Sequence, residues 1–122
     1  FPTEPDADPL SDWLESCARL QREIPADVLV LPAHNEPFVG AHARLQELID
    51  GHELCLKRVE RRLQSGPQRA VDLFGALFPG TVTSEVLGFA TGESLAHLNC
   101  LIARGRARRR LGPDGVAVYE AV

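Results

Sequence analysis

Val28-Leu29-Val30-Leu31-Pro32-Ala33-His34-Asn35-Glu36-Pro37-Phe38 reads as a short apolar strand, a proline stop and a loop carrying one imidazole. Residues 28–31 are β-branched or leucine and of strand length, and Pro32 ends the run. A histidine just past the carboxyl end of a buried strand stands where α/β folds place their chemistry. His34 is therefore either a side chain that reaches a metal or substrate, or a loop imidazole satisfied by its neighbours. A lone strand is not stable by itself. Its partners are expected from a missing part of the protein, from another chain or from an edge contact.

Working upstream, Asp8-Pro9 supplies an N-cap and a first-turn proline, which predicts a helix over Pro9–Glu23. Its apolar stripe is Leu10, Trp13, Leu14, Cys17, Leu20 and Ile24. Residues 1–7 are Pro-rich and acidic, an extended lead-in. Downstream, Leu45, Leu48, Ile49, His52, Cys55, Leu56, Val59 and Leu63 recur at three- and four-residue steps, predicting a helix from Ala41 to Gln64. His42 and His52 lie on or beside that stripe, where a histidine is more often a hydrogen-bonded core residue than a ligand.

Ser65-Gly66-Pro67 stops the long helix. A short helix is predicted from Pro67 to Phe78, and a further one from a Thr83 or Ser84 cap to Ala103, with Gly105 as its C-cap. Gly88 and Gly92 weaken that helix by about 1 kcal/mol each relative to alanine. They point to a close helix approach or a break near Thr91. Arg106–Leu111 and Val116–Glu120 flank Gly112-Pro113-Asp114-Gly115, a hairpin signal. Helix, helix, long helix, hairpin is the order of a winged helix.

The chain has 122 residues, enough for one core or two small lobes. No apolar run approaches the roughly 18 residues of a membrane span, and Phe1-Pro2-Thr3-Glu4-Pro5 lacks the features of a signal peptide. With no methionine and a bulky first residue, the sequence reads as a fragment of something longer. Cys17, Cys55 and Cys100 are far apart and form no C-x-x-C. They read as small core residues with reduced thiols, consistent with a cytoplasmic setting, and their spacing argues against a cysteine zinc site. Net charge is −4, and the acidic excess lies in the first half. Arg104, Arg106, Arg108, Arg109 and Arg110 crowd the second half.

His34 in its Leu31–Phe38 setting, followed by a long helix carrying His52 and Arg58, resembles the C-terminal part of metallo-β-lactamase-superfamily hydrolases. Among these, the glyoxalase-II-like and lactonase-like members carry a winged-helix-like tail. Residues Pro9 through Leu20 look like the family's last helix before that strand, and Ala70 to Tyr119 like its appended module. The family loop usually reads Pro-Gly-His-Gly-Pro. Here Ala33 and Asn35 replace the glycines and Glu36 adds a residue, which reduces backbone freedom. The family's His-x-His-x-Asp-His motif is absent from these residues.

The resemblance implies a mainly α protein with small β content, an α+β arrangement in three parts. Residues 1–40 would be the C-terminal helix-strand segment of a metallo-β-lactamase-like domain, 41–64 a linking helix, and 65–122 a winged-helix-like domain of three helices and a β-hairpin. It further implies a zinc-dependent parent hydrolase acting on an ester, thioester or lactone. His34 would be one metal ligand. His52 would pack beneath the site or steady a ligand from behind. No residue of this chain is expected to be catalytic. A catalytic zinc needs at least three protein ligands, so the 122 residues by themselves are expected to be inactive and to hold no metal. The small-molecule substrate would bind through the missing N-terminal region.

Two other readings compete. In the first, the winged helix binds nucleic acid through Arg104–Arg110. The predicted third helix is poor in basic residues from Glu85 to Ile102, and the chain is acidic. Pairing of those arginines with acidic residues of the first half is favoured instead. In the second, the tail mediates dimerisation, making a second copy the partner. Ser94 and His97 lack the setting of a nucleophile pair. Asp6, Asp8 and Asp12 lack the spacing of a calcium loop.

Overall fold

The computed structural model describes residues 4–122; the first three residues of the expected lead-in fall outside the described residues. Along the chain the elements are α1 (Pro9–Glu23), β1 (Leu29–Val30), β2 (Phe38–Val39), α2 (Ala41–Gln64), α3 (Phe74–Leu77), α4 (Leu87–Ala103), β3 (Ala107–Leu111) and β4 (Ala117–Ala121). The fold is therefore mixed α and β, with four helices and two small sheets among the described residues. Contacts divide the chain into two units, Ser11–Glu53 and Phe1–Leu10 with Leu54–Val122.

In the Ser11–Glu53 unit the strand is shorter than expected, and it finds its partner locally. β1 pairs antiparallel with β2, Leu29 opposite Val39 and Val30 opposite Phe38. Of the expected sources of a partner, neither a missing part nor another chain is needed for this pairing: Phe38, read as the end of the loop, forms β2 with Val39 and folds back beyond Pro32–Pro37. Nor is this strand buried, for Leu29 is 62% exposed and Leu31 74%. On α1, Leu14 and Cys17 are buried, but Trp13 (47% exposed) and Leu20 are not, so the predicted apolar stripe is only partly covered. Gln21 donates from Nε2 to the His42 carbonyl at 3.0 Å and to Gln46 Oε1 at 3.2 Å, tying the end of α1 to the start of α2. His42 Nε2 donates to the Ile24 carbonyl at 2.8 Å, since a carbonyl can only accept. Gly40, at φ +106, lets the chain turn from β2 into α2.

The other unit is built around α4. Leu56, Val59 and Leu63 of α2, Leu73, and Leu98, Cys100 and Leu101 of α4 form its core with Ala107 and Tyr119 of the hairpin. Full burial of one such leucine stabilises by about 1.5–3 kcal/mol relative to exposure. Between α2 and α4 the predicted helix over 67–78 is instead a 3-10 turn at Ala70–Leu73 leading into one turn of α3. The reason is local. Gln68 exchanges both backbone hydrogen bonds with Tyr119 at 2.8 Å, so residue 68 is extended and cannot join a helix. Arg69 then opens the turn by a two-pronged grip on Asp72, Nε to Oδ2 at 3.0 Å and Nη2 to Oδ1 at 2.8 Å.

α4 begins at Leu87 with Val86 at its N-cap, not at Thr83 or Ser84. Residues 84–86 form a turn, whose Val86 N–H donates to the Thr83 carbonyl. Gly88 and Gly92 neither break the helix nor admit a close neighbour, as a Cβ at either would meet open space. The expected C-cap is present. Gly105 takes φ +69, its N–H reaching Ile102 O at 2.9 Å and that of Arg106 reaching Leu101 O at 2.8 Å, the paired bonds of a Schellman end. β3 and β4 pair in register from Ala107–Ala121 to Leu111–Ala117.

Candidate functional site

His34 sits on the loop joining β1 to β2, exposed to solvent. The residue after it, Asn35, has φ +69. Asparagine tolerates this left-handed region better than most residues, so the backbone still makes the bend that glycine would allow. His34 lines an open cleft of about 510 Å³ together with Pro32, Glu36, Phe38 and Arg44. Within its lining Arg44 pairs with Glu47, one turn further along α2, at 3.1 Å. The cleft therefore offers one imidazole, carboxylates and a guanidinium among apolar neighbours such as Phe38 and Val39.

His52 is half-buried on α2 and, like His34, belongs to the Ser11–Glu53 unit. Among the described residues, no three His, Cys, Asp or Glu side chains come together where they could hold a metal ion. Zinc requires three protein ligands or more. The donors of the described residues thus do not make a complete zinc site, and His34 faces an open cleft where further ligands could approach.

The arginine cluster is engaged with carboxylates. Arg106 pairs with Glu60, Arg108 Nε lies 2.9 Å from Glu120 Oε1, and Arg109 Nη1 lies 2.8 Å from Asp6 Oδ1. Arg110 Nε reaches the same Glu120 oxygen at 3.6 Å. Arg104, just beyond α4, also has an interaction partner. Arg109 further hydrogen-bonds Tyr119, whose phenol is pushed above its ordinary pKa by burial, with Arg109 acting in the opposite direction.

Ser94 and His97 are both buried, out of reach of a substrate. His97 Nδ1 lies 2.8 Å from the Glu93 carbonyl and so carries a proton. None of Cys17, Cys55 and Cys100 forms a disulfide; Cys17 and Cys100 are buried, and burial raises the Cys17 thiol pKa. No helix among the described residues is long and apolar enough to cross a membrane.

Two features escaped the sequence reading. Asn99 donates from Nδ2 to the carbonyls of Pro5 and Ala7, both at 2.8 Å, beside a pairing of the expected kind between an arginine of the cluster and an acidic residue of the first half, Arg109 with Asp6. These partners are about ninety residues apart, and no local pattern signals such contacts. The β1–β2 pairing had a faint signal, the apolar pair Phe38-Val39 ahead of Gly40.

Comparison with known proteins places the chain. A family model described as the metallo-beta-lactamase-like, C-terminal domain matches residues 56–122, more than half of the chain. The crystal structure of a beta-lactamase domain protein from Burkholderia ambifaria superposes with a TM-score of 0.94 at 36% identity, covering 100% of this chain and 36% of that one. A metallo-beta-lactamase family protein from Thermus thermophilus gives a TM-score of 0.76 at 31% identity, over 94% of this chain and 34% of that one. The probable metallo-hydrolase YqjP of Bacillus subtilis is 30% identical over 95 residues, 78% of this chain and 29% of that protein. The chain thus spans about a third of the length of these relatives. It belongs to the metallo-beta-lactamase-like C-terminal domain family and is homologous to metallo-hydrolases.

Proposed function

We propose that this chain is the C-terminal part of a zinc-dependent hydrolase of the glyoxalase-II-like or lactonase-like kind, cleaving an ester, thioester or lactone. The observation that carries this reading is the exposed His34 on a bent loop at the edge of an open cleft, in a chain homologous to metallo-hydrolases. In this proposal, residues 1–40 close the metallo-β-lactamase-like domain, the 41–64 helix links it onward, and 65–122 form a winged-helix-like lobe. The protein works in the cytoplasm.

The chain's own part is positional. The β1–β2 hairpin and the left-handed Asn35 hold His34 at the cleft as one donor of a metal centre whose remaining ligands lie outside these residues. His52 packs beneath the site. Zinc, once bound, supplies a Lewis acid and a water acidified toward neutrality. The small-molecule substrate binds through parts of the protein outside this chain.

Nothing favours the nucleic-acid alternative over this one, because the arginines it needs are paired with Glu60, Glu120 and Asp6. The test is hydrolysis of ester, thioester and lactone substrates by the longer protein and its His34→Ala variant. Activity reduced by at least about a hundredfold supports the role of His34; full activity in the variant removes it.

A further inference from the structure

We propose that the groove between the Phe78–Val82 segment and the start of α4 docks a basic amphipathic helix of a partner protein. One apolar side chain of that helix enters the groove, and a lysine or arginine lies at each end. Every residue of the surface belongs to one compact unit, the one that contains Leu54–Val122. The groove, about 320 Å³, is lined by Phe78, Gly80, Val82, Val86, Phe89 and Ala90, and Thr81 supplies its one polar side chain. Phe89 is 82% exposed, the most of any large apolar residue among the described residues. Phe78 meets Phe74 edge-on with ring centres 6.2 Å apart, which steadies its side of the groove. An exposed aromatic beside an apolar groove is a surface for another apolar group. Charge selects which one.

From residue 70 to residue 103 the chain carries no lysine or arginine, and its carboxylates there are Asp72, Glu85 and Glu93. Asp72 is held by Arg69, and Arg62 is near enough to act on its charge. Glu85 is exposed and adjoins Val86 of the groove wall. Glu93 is partly exposed and stands one turn beyond Phe89, on the same side of α4. The buried His97 lies 3.9 Å from Glu93 Oε2, but its Nδ1 proton is directed to the Glu93 carbonyl at 2.8 Å, which leaves the carboxylate open to a partner. Arg106, Arg108 and Arg109 of the same unit are paired with Glu60, Glu120 and Asp6. Two carboxylates therefore flank the groove, about two turns of helix or roughly 12 Å apart.

Complementarity names the occupant. An apolar groove with a carboxylate at each end fits a helix that carries an apolar residue midway and a lysine or arginine about one turn to either side. A second copy fits poorly, because a two-fold axis through Phe89 would set Glu85 and Glu93 against the carboxylates of its mate. An anionic membrane surface is repelled by the same charges. Space for the docked side chain exists at Gly80, where a Cβ would meet nothing within 4 Å. The groove shares no residue with the cleft that His34 lines.

The test is fluorescence anisotropy of a labelled helical peptide titrated with the longer protein, each variant being checked for folding by circular dichroism. One peptide carries a leucine face flanked by lysines; a second has glutamate in place of every lysine. The lysine peptide should bind at least about tenfold more tightly than the glutamate peptide and lose affinity as salt rises. Phe89→Ala, which removes the exposed ring, and Gly80→Leu, which fills the groove, should each weaken it by at least about tenfold. Glu85→Lys should weaken the lysine peptide and strengthen the glutamate peptide, a reversal that a merely structural role would not produce. Equal binding of the two peptides, or indifference to both groove variants, would overturn the proposal. So would no binding at all, the groove then being covered within the longer protein. Self-association abolished by Phe89→Ala would overturn it in favour of a second copy.

Discussion

Asn99 holds Pro5: its side-chain amide donates to the Pro5 carbonyl at 2.8 Å, and the same nitrogen reaches Ala7 O at 2.8 Å. Asn99 is buried on α4, so the segment ahead of α1 is fastened to the core of its unit by one amide. Net worth is about 0.5–1.5 kcal/mol per bond. Asn99→Leu should therefore destabilise by about 1–3 kcal/mol in urea unfolding and make residues 4–8 more susceptible to protease. Unchanged stability and unchanged cleavage would contradict the fastening role.

Leu98 and Leu73 are both fully buried where α4 meets the 3-10 turn. Truncating either removes its transfer energy and leaves a void. Leu98→Ala and Leu73→Ala should each cost about 2–5 kcal/mol. Leu111→Ala, on an exposed residue of β3, should stay within about 0.5 kcal/mol. Chemical denaturation of the three variants checks the ordering.

Acid sensitivity should involve Asp72. The hydrogen bonds from Arg69 hold its carboxyl below the usual carboxylate range, against a smaller opposing effect of burial. A depressed folded-state pKa gives stability that is present above the unfolded value, about 3.9, and lost as pH falls through the folded one. A carboxyl NMR titration should place the Asp72 midpoint below that of an ordinary aspartate, and Arg69→Ala should bring it back up. A midpoint unmoved by that substitution would contradict the assignment.

At the alkaline end the chain offers a clean probe, since Tyr119 is its single tyrosine. Burial raises its phenol, and Arg109 partly opposes that. The stabilisation from a neutral buried phenol is full below the unfolded pKa, about 10, and is lost as pH rises through the folded value. Ultraviolet titration of the folded protein should give a midpoint above about 10, rising further in Arg109→Ala.

What was legible in the sequence followed local physics. Asp8-Pro9 and Gly105 set the start of α1 and the end of α4, and the three- and four-residue apolar steps set α2. The hairpin was readable because Gly112–Gly115 forms a bonded turn, with Val116 N–H on Asp114 Oδ1 at 3.1 Å. Illegible parts depended on distant partners. Nothing near Gln68 says that Tyr119 will hold it extended and shorten the following helix. Likewise the exposure of Trp13 and Leu29 depends on what else covers them, which periodicity does not encode. His34 was conspicuous from its proline-flanked loop. Beside it Asn35 takes a positive φ, a conformation that asparagine tolerates better than most residues.

In the proposed function, His34 is a metal ligand in the longer protein. The most direct measurement is the zinc bound per protein, by elemental analysis after equilibration in a metal buffer, for that protein and its His34→Ala variant. The longer protein should bind zinc, and the variant should lose most of it while remaining folded. Equal zinc in both would contradict that role.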